Sequence, residues 1–279
     1  MKLTKPSLSS ASIRRFREEI YSYYDTNGRT LPWRGAKKTA YEILISEIML
    51  QQTQVSRVLL KYPEFIRAFP TMQILARARL QTVLRVWQGM GYNRRALLLH
   101  RLAKIAVAQY KGKLPKTQEE LVSLPGIGMN TAGAVLAFGF NKPVTFIETN
   151  IRSVFIHYFF KNKKDVHDRD LMPLIQATLD INHPRRWYAA LMDYGSMLKK
   201  NVSNPSRRSK HYTVQSRFEG SPRQLRGRIL TTLLARKRMT SRQLAQHIQE
   251  DTARIKVILA ALIREGFVTR RDNTYSLRA

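Results

Sequence analysis

The sequence predicts an all-α body followed by a small winged helix-turn-helix domain, and three observations support this fold class. Apolar residues recur at three- and four-residue spacing through most of residues 11–200, and no convincing pair of alternating strands interrupts them. Residues 199–223 break the pattern with a polar, basic and Ser-rich stretch. The tail that follows combines amphipathic helical segments with two short runs typical of a β-hairpin.

The helical periodicity of the body is clearest in residues 41–62, 80–106 and 131–140. With 43% hydrophobic residues, the chain has enough apolar side chains for a sizeable core. We therefore divide the sequence into a helical domain over 1–200, a basic linker over 201–222 and a tail domain over 223–279. A plain solvated loop would have the same composition as the linker, so the linker alone indicates no function.

The tail shows three helical segments, at 223–236, 240–249 and 251–265, and Gly266 is placed to end the third. The last residues form two strand-like runs around a turn at Asp272 and Asn273. Three helices and a hairpin are typical of a winged helix-turn-helix, which frequently binds DNA. The same module also serves protein–protein contacts, and the sequence leaves that alternative open.

The charge balance indicates a polyanionic partner. The 279 residues include 49 Lys and Arg against 19 Asp and Glu, which gives a formal net charge of +30. Such a charge opposes folding by self-repulsion and favours nucleic acid as the partner, with an anionic membrane surface as the second possibility. The tail shares the excess, with 13 basic against 4 acidic residues, so we expect both domains to contact double-stranded DNA.

Several kinds of protein are excluded by what the sequence lacks. There is no cysteine, which excludes disulfides, iron–sulfur clusters and thiolate zinc sites. No run of about 18 apolar residues exists, and the first ten residues lack the apolar core of a secretion signal. We therefore expect a cytoplasmic, nucleoid-associated protein without a membrane partner. No cluster of metal-ligand residues is evident, so we expect no cofactor and no metal, and we expect a monomer.

One short motif predicts contact with DNA phosphates. The sequence Leu-Pro-Gly-Ile-Gly at 124–128 lies between a helical segment at 117–123 and a second helix. Glycines allow the backbone to turn tightly, and the free N–H groups at the start of the second helix attract a phosphate. A helix-hairpin-helix of this kind binds the sugar-phosphate backbone without reading sequence. The expected phosphate-binding residues are Gly126, Ile127, Gly128 and Thr131; the alternative is a helix that simply ends at a glycine.

Five blocks occur in the order found in a known family. They are Leu-Pro-Trp-Arg at 31–34, Ile-Ser-Glu-Ile-Met-Leu-Gln-Gln-Thr-Gln-Val at 45–55, Trp-Gln-Gly-Met-Gly-Tyr at 87–92, the hairpin at 124–128, and Met-Asp-Tyr-Gly-Ser-Met at 192–197. On these blocks, residues 13–198 resemble the helix-hairpin-helix (HhH-GPD) DNA glycosylase superfamily, and within it the clusterless adenine DNA glycosylases. The resemblance implies a helix-hairpin-helix glycosylase fold and a role in base excision repair.

The resemblance implies catalytic roles for three residues. Glu47 matches the family's general acid, which protonates the imidazole nitrogen of the departing purine and requires an apolar setting. The family's catalytic aspartate is replaced by Glu148, one methylene longer, while Asn150 is in place two residues later. That carboxylate would stabilise the oxocarbenium charge that develops on the sugar. Without the resemblance, Glu47 would be taken as an exposed helix glutamate.

Five further residues match positions that contact DNA bases. The resemblance places Gln52 and Tyr92 beside the extruded base, where they fill the gap that it leaves in the stack. Gln51 would face the partner base. Trp33 and Arg34 match the wall of the base pocket, the first by stacking and the second by hydrogen bonds. From the residues alone, core packing is the alternative for both Tyr92 and Trp33.

Other positions differ from the family. Asn130 occupies the place where bifunctional relatives carry a nucleophilic lysine, so a monofunctional enzyme without lyase activity is implied. Asn130 would instead contact the flipped nucleotide or support the start of its helix. The family's C-terminal domain for 8-oxoguanine is missing, and the predicted winged helix takes its place.

The iron–sulfur loop is also altered. On family spacing, the four cluster-binding cysteines fall near Lys199, Ser206, Ser209 and Gln215, none of which ligates such a cluster. We expect the basic loop in that place to bind DNA phosphate by charge, with a disordered linker as the alternative.

Three hypotheses follow from the sequence. The first is a monofunctional DNA glycosylase that removes adenine mispaired with guanine or 8-oxoguanine. The second keeps the enzyme class but changes the substrate to thymine, uracil or an alkylated base. The third, motivated by Glu148, is a catalytically impaired protein that binds DNA lesions.

Overall fold

The computed structural model describes residues 8–35 and 37–278. The expectation that the first ten residues are no secretion signal falls mainly on residues 1–7, which lie outside the described residues. The chain forms two compact units, and each combines distant parts of the sequence. The first contains the residues up to Glu47, Pro115–Ser123 and Ile127–Val214, and the second contains Ile48–Leu114, Leu124–Gly126 and the residues from Gln215 onward.

The body is helical, as the apolar periodicity predicted. Its α-helices are α1 (Ser10–Asn27), α2 (Ala40–Leu50), α3 (Val55–Ala68), α4 (Met72–Arg77), α5 (Leu80–Val86), α6 (Arg94–Tyr110), α7 (Gln118–Ser123), α8 (Met129–Ala134), α9 (Thr149–Phe159), α10 (Asp168–Thr178) and α11 (Pro184–Asn201). A π-helical turn at Val135–Gly139 follows α8, and a 3₁₀ turn at Pro205–Arg208 follows α11. In the part of the chain that the structure describes, no helix is long and apolar enough to cross a membrane.

Two of the periodic segments are broken at places that the pattern did not mark. Residues 41–62 are divided between α2 and α3, and residues 80–106 are divided between α5 and α6. The backbone enters the left-handed region at Gln52, Gly89 and Tyr92, which ends a right-handed helix. Buried apolar residues flank both breaks, so the hydrophobic pattern carries no sign of them.

The core of the first unit lies among α1, α9, α10 and α11. Trp187, Tyr188 and Phe155 are fully buried in it. Phe16 makes edge-on ring contacts with Phe155 at 5.5 Å and with Trp187 at 5.8 Å. Burial of each such side chain contributes about 1.5–3 kcal/mol. The packing therefore holds α9 and α11 firmly together, and these helices carry several of the functional side chains described below.

The tail forms the predicted winged helix-turn-helix. Its elements are α12 (Pro222–Arg236), β1 (Arg238–Thr240), α13 (Ser241–Ile248), α14 (Thr252–Glu265), β2 (Val268–Arg271) and β3 (Thr274–Leu277). The hairpin turns at Asp272 and Asn273 as expected, and Gly266 ends α14 with φ 87°. Strand β1 was not predicted: it adds a third antiparallel strand in the order β1-β3-β2, and three residues are too few to show an alternating pattern.

The segment between body and tail is partly ordered against the body. Helix α11 extends to Asn201, and in the 3₁₀ turn that follows it Pro205 and Ser206 are buried. Val166 and Ser209 form an isolated β-bridge. The part of this segment up to Val214 belongs to the first compact unit. The domain boundaries drawn at 200 and 223 stay a prediction.

Candidate active site

Glu47 lies on α2 among apolar neighbours, as its predicted role requires. Ile43, Leu44 and Ile48 on the same helix are buried, and Glu47 itself keeps only a minor exposed fraction. Burial, together with the negative charge of Glu148 and against the opposing charge of Arg34, raises the pKa of Glu47 to about 7. Glu47 is therefore a carboxylic acid that can hold a proton near neutral pH.

Glu148 is held at the N-terminus of α9. One carboxylate oxygen, Oε1, accepts hydrogen bonds from the backbone N–H groups of Asn150 at 2.7 Å and Ile151 at 3.0 Å. The other oxygen, Oε2, accepts from the Asn150 side-chain amide at 3.3 Å. The longer arm thus turns back onto its own helix as an N-cap, where the positive end of the helix dipole favours a negative charge. The first unit therefore contains both Glu47, an acid that can hold a proton, and Glu148, a carboxylate fixed by hydrogen bonds.

A lysine that the sequence did not single out for catalysis completes this group. The Nζ of Lys199, near the end of α11, donates a hydrogen bond to Oδ1 of Asn150 at 2.8 Å. Burial lowers the pKa of Lys199, while the charge of Glu148 raises it. Sequence analysis noted Lys199 only as a basic residue at a position that matches a cluster-binding cysteine of the family. Its contact with Asn150, 49 residues earlier in the chain, is visible only in the structure.

Arg34 forms a paired hydrogen bond with Asp193 of α11. The distances are 2.7 Å from Nη1 to Oδ2 and 2.7 Å from Nη2 to Oδ1. Arg29 binds the same carboxylate through its backbone N–H at 2.7 Å and its Nε at 2.8 Å. Burial alone would raise the pKa of Asp193, but these donors hold it below its usual range. The two arginines fix the segment that carries Trp33, which is 4% exposed.

In the hairpin at 124–128, Gly126 has the tight-turn geometry that was predicted, whereas Gly128 has extended backbone with φ −96°. Gly126 has φ 84°, a value that side chains rarely tolerate, and a Cβ there would lie 3.0 Å from Cβ of Leu98. Ile127 is buried, whereas Gly128 and Asn130 are exposed at the start of α8 and Thr131 is half-buried. The exposed start of α8 is therefore accessible to an external group.

Two predicted base-stacking residues in the second unit, Gln52 and Tyr92, are hereafter called the wedge residues. Gln52 has φ 54° and is exposed, and Tyr92 has φ 45° and is half-buried. Left-handed backbone is uncommon for residues other than glycine and clusters at functional sites. This backbone state was not visible in the sequence, and the role of the two residues stays a prediction.

Arg95 on α6 binds the loops that carry the wedge residues, a role that sequence analysis did not predict. Its Nη1 lies 2.8–2.9 Å from the carbonyls of Ile48 and Met49 and 2.5 Å from that of Gln51. Its Nη2 lies 3.0–3.2 Å from the Thr53 hydroxyl and from the carbonyls of Met90 and Gly91. Arg95 is 9% exposed, and burial lowers its pKa to about 10. One buried guanidinium thus connects both breaks in the helical pattern.

The predicted site residues lie in three separate parts of the structure. Glu47, Arg34, Glu148 and Asn150 interact within the first unit. The turn at 51–52 and Tyr92 belong to the second unit. Trp33 lies beside Arg34 in the first unit, and the remaining predicted residues, Gly126, Ile127, Gly128, Asn130 and Thr131, lie in the hairpin or at the start of α8. The roles assigned to all of them stay predictions.

The cysteine-equivalent positions do not fit an iron–sulfur cluster. The polar atoms of Lys199 and Ser206 are bound to other protein groups, and Ser209 accepts the backbone N–H of His211 at 3.1 Å. Among the described residues, no group of three His, Cys, Asp or Glu could hold a metal ion.

Comparison with known proteins identifies the family. Residues 45–176 match the HhH-GPD superfamily of base excision DNA repair proteins. An adenine DNA glycosylase of Mycolicibacterium smegmatis is 32% identical over 271 residues, which cover 88% of this chain and 92% of the relative. The chain belongs to the HhH-GPD superfamily of base excision DNA repair proteins.

Other relatives share the helical body. An adenine DNA glycosylase of Buchnera aphidicola subsp. Baizongia pistaciae is 39% identical over 185 residues, which cover 66% of this chain but 52% of the relative, so the match spans about half of that protein's length. Among solved structures, a thermostable thymine-DNA glycosylase superposes with a TM-score of 0.62 at 24% identity, over 70% of this chain and 91% of that chain. This likeness confirms the helix-hairpin-helix glycosylase fold.

Proposed function

We propose that this protein is a monofunctional DNA glycosylase that extrudes adenine from a mispair with guanine or 8-oxoguanine and hydrolyses its glycosidic bond. The observation that carries the proposal is the pairing of Glu47, whose pKa is raised to about 7, with the anchored carboxylate of Glu148. Two carboxyl groups with different environments can divide acid and charge-stabilising roles between them. The relatives named adenine DNA glycosylase support the choice of base.

In the proposed reaction, protonated Glu47 donates its proton to the imidazole ring of the adenine. The bond between that ring and C1′ of the sugar breaks, and its electron pair leaves with the base. Glu148 stabilises the positive charge left on the sugar. A water molecule then adds its oxygen to C1′ and releases a proton, which gives the abasic sugar. Asn150 keeps the Glu148 carboxylate in place through its side-chain amide.

The base must leave the stack before it can react. We assign the filling of the gap to the wedge residues, and contact with the partner base to Gln51. Trp33 forms part of the pocket wall. Arg34 supports that wall through Asp193, because both of its terminal nitrogens bind this carboxylate.

The proposed partner is double-stranded DNA, bound by a monomer. The start of α8, with Gly126, Ile127, Gly128 and Thr131, takes a phosphate, and the net charge of +30 strengthens binding. Asn130 is no amine nucleophile, so we propose no Schiff base at that position and no strand cleavage. We also propose that the reaction needs no metal and no cofactor.

The test is an excision assay on a panel of duplexes. Each duplex carries one candidate base, namely adenine opposite guanine or 8-oxoguanine, mispaired thymine or uracil, or an alkylated base, and abasic products are cleaved with alkali. The proposal predicts products from the adenine mispairs and none from the Glu47→Gln control. Products only from another base would support the second hypothesis, and tight binding without any product would support a lesion-binding protein.

A further inference from the structure

The end of α11 and the segment that follows it contact both ends of α9, the helix that begins beside Glu148. Three residues make these contacts, and we call them the anchor residues: Lys199 in α11, and Ser206 and Arg208 after it. They lie in the stretch that sequence alone suggested as a DNA-binding or disordered loop. Their polar groups are bound instead to the helix that carries the site.

Lys199 acts on Glu148 through Asn150. Its ammonium donates to Oδ1 of Asn150 at 2.8 Å, and Nδ2 of Asn150 then faces Oε2 of Glu148 at 3.3 Å. An ammonium can only donate and a carboxylate can only accept, so the two charges determine which way the Asn150 amide points. Loss of the ammonium would free the amide to rotate and would remove one support from the carboxylate.

Ser206 binds the first turn of α9. Its Oγ lies 2.6 Å from Oγ of Ser153 and donates to the carbonyl of Thr149 at 3.1 Å. Ser206 is 2% exposed and Ser153 is fully buried, so the pair is shielded from solvent and loss of one hydroxyl leaves a buried polar group without that partner. The backbone of α11 also comes close, since a Cβ on Gly195 would collide with the carbonyl of Asn150.

Arg208 binds the other end of the same helix. Its guanidinium donates to the carbonyls of Ile156, Phe160 and Lys161. These are groups near a helix C-terminus, where partners within the helix run out and a cation is favoured. The anchor residues therefore hold α9 at both ends.

We propose that Lys199 and Ser206 are positioning residues, which hold Asn150 and Glu148 in the geometry needed for base excision and do not serve to bind DNA phosphate. This rests on the proposed glycosylase function. Lys199 and Ser206, which match cysteine positions of the family's iron–sulfur cluster, here form hydrogen bonds that support the carboxylate of Glu148.

The test compares Lys199→Met with Lys200→Met. Lys200 is the exposed neighbour, so both variants lose one positive charge at nearly the same place. We expect equal and small losses of duplex affinity, but a single-turnover excision rate reduced about ten- to hundredfold only in Lys199→Met. Lys199→Arg, which keeps a donor and a charge, should recover part of the rate. Ser206→Ala should also slow excision without weakening binding.

A second measurement does not depend on excision. Hydrogen exchange at the amides of Asn150 and Ile151 should be faster in Lys199→Met than in the wild type, and unchanged in Lys200→Met. Equal excision rates and equal exchange in the two variants would overturn the inference. If the wild-type protein excised no base while the exchange difference appeared, the proposed function would fail and the support of Glu148 by Lys199 would stand.

Discussion

The guanidinium of Arg223, in the first helix of the tail, donates a hydrogen bond to the hydroxyl of Tyr92, with 2.8 Å between the two atoms. Arg223 also donates to the carbonyl of Ser216 at 2.7 Å. Its guanidinium lies 5.8 Å from the centre of the Tyr92 ring. The tail therefore contacts one of the two wedge residues directly, within a single compact unit.

The contact predicts that Arg223→Met will weaken base extrusion. A hydrogen bond to a charged donor contributes about 1.5–3 kcal/mol, and its loss leaves the Tyr92 ring less well fixed. We expect a severalfold loss of the fluorescence gain of a 2-aminopurine placed as the extruded base. Arg242→Met, on an exposed position of the tail, removes the same charge and should leave this signal close to wild type. Equal signals in both variants would show that the contact has no part in extrusion.

Arg95 predicts a large effect on stability. Arg95→Met removes the donor shared by the carbonyls of Ile48, Met49 and Gln51 and by three further acceptors. Because the site is buried, we expect the free energy of unfolding to fall by about 3 kcal/mol or more in urea titrations. Arg94→Met, at the exposed neighbour, should change it by less than about 0.5 kcal/mol. A small loss in Arg95→Met would mean that water replaces the guanidinium without difficulty.

The raised pKa of Glu47 predicts how excision depends on pH. Only the protonated acid can give a proton to the base, so the single-turnover rate should fall as pH rises through about 7. A rate that stays constant from pH 6 to pH 9 would contradict the assignment of Glu47 as the proton donor.

The same shift predicts a pH-dependent stability. Between the pKa of a solvated glutamate and about 7, the folded protein keeps a proton that the unfolded chain releases, so this carboxyl makes folding less favourable as pH rises. Glu47→Gln should therefore raise the Tm at pH 8, and the gain, about 3 kcal/mol in unfolding free energy, should shrink as pH falls and vanish near pH 4, below the pKa of a solvated glutamate. An equal change in Tm at both pH values would show that the carboxyl titrates normally.

The sequence could predict those parts of the site that lie in short linear motifs. The hairpin glycines, Glu47 and the Glu148–Asn150 pair each stand in a block whose residue types and spacing limit their chemistry. The overall fold was predicted for a similar reason, because helical periodicity and the tail's turn signals are local.

The rest of the site depends on contacts between distant residues. Lys199, Arg95 and Arg223 are three of 49 basic residues, and nothing in their local sequence separates a buried donor from a solvated one. The breaks at Gln52 and Tyr92 were missed as well, because left-handed backbone at these side chains is stabilised by Arg95 and leaves no mark on the apolar pattern.

The measurement that tests the central claim most directly is the single-turnover excision of adenine by Glu148→Gln. Gln keeps the size of the side chain and removes the charge that is proposed to stabilise the sugar cation. We predict a rate at least about a hundredfold lower, equivalent to roughly 3 kcal/mol, with duplex affinity equal to or tighter than wild type. Glu148→Asp, which keeps the charge and can still cap α9, should excise faster than Glu148→Gln. Unchanged excision by Glu148→Gln would contradict the account, because the catalytic carboxylate would then have to be another residue.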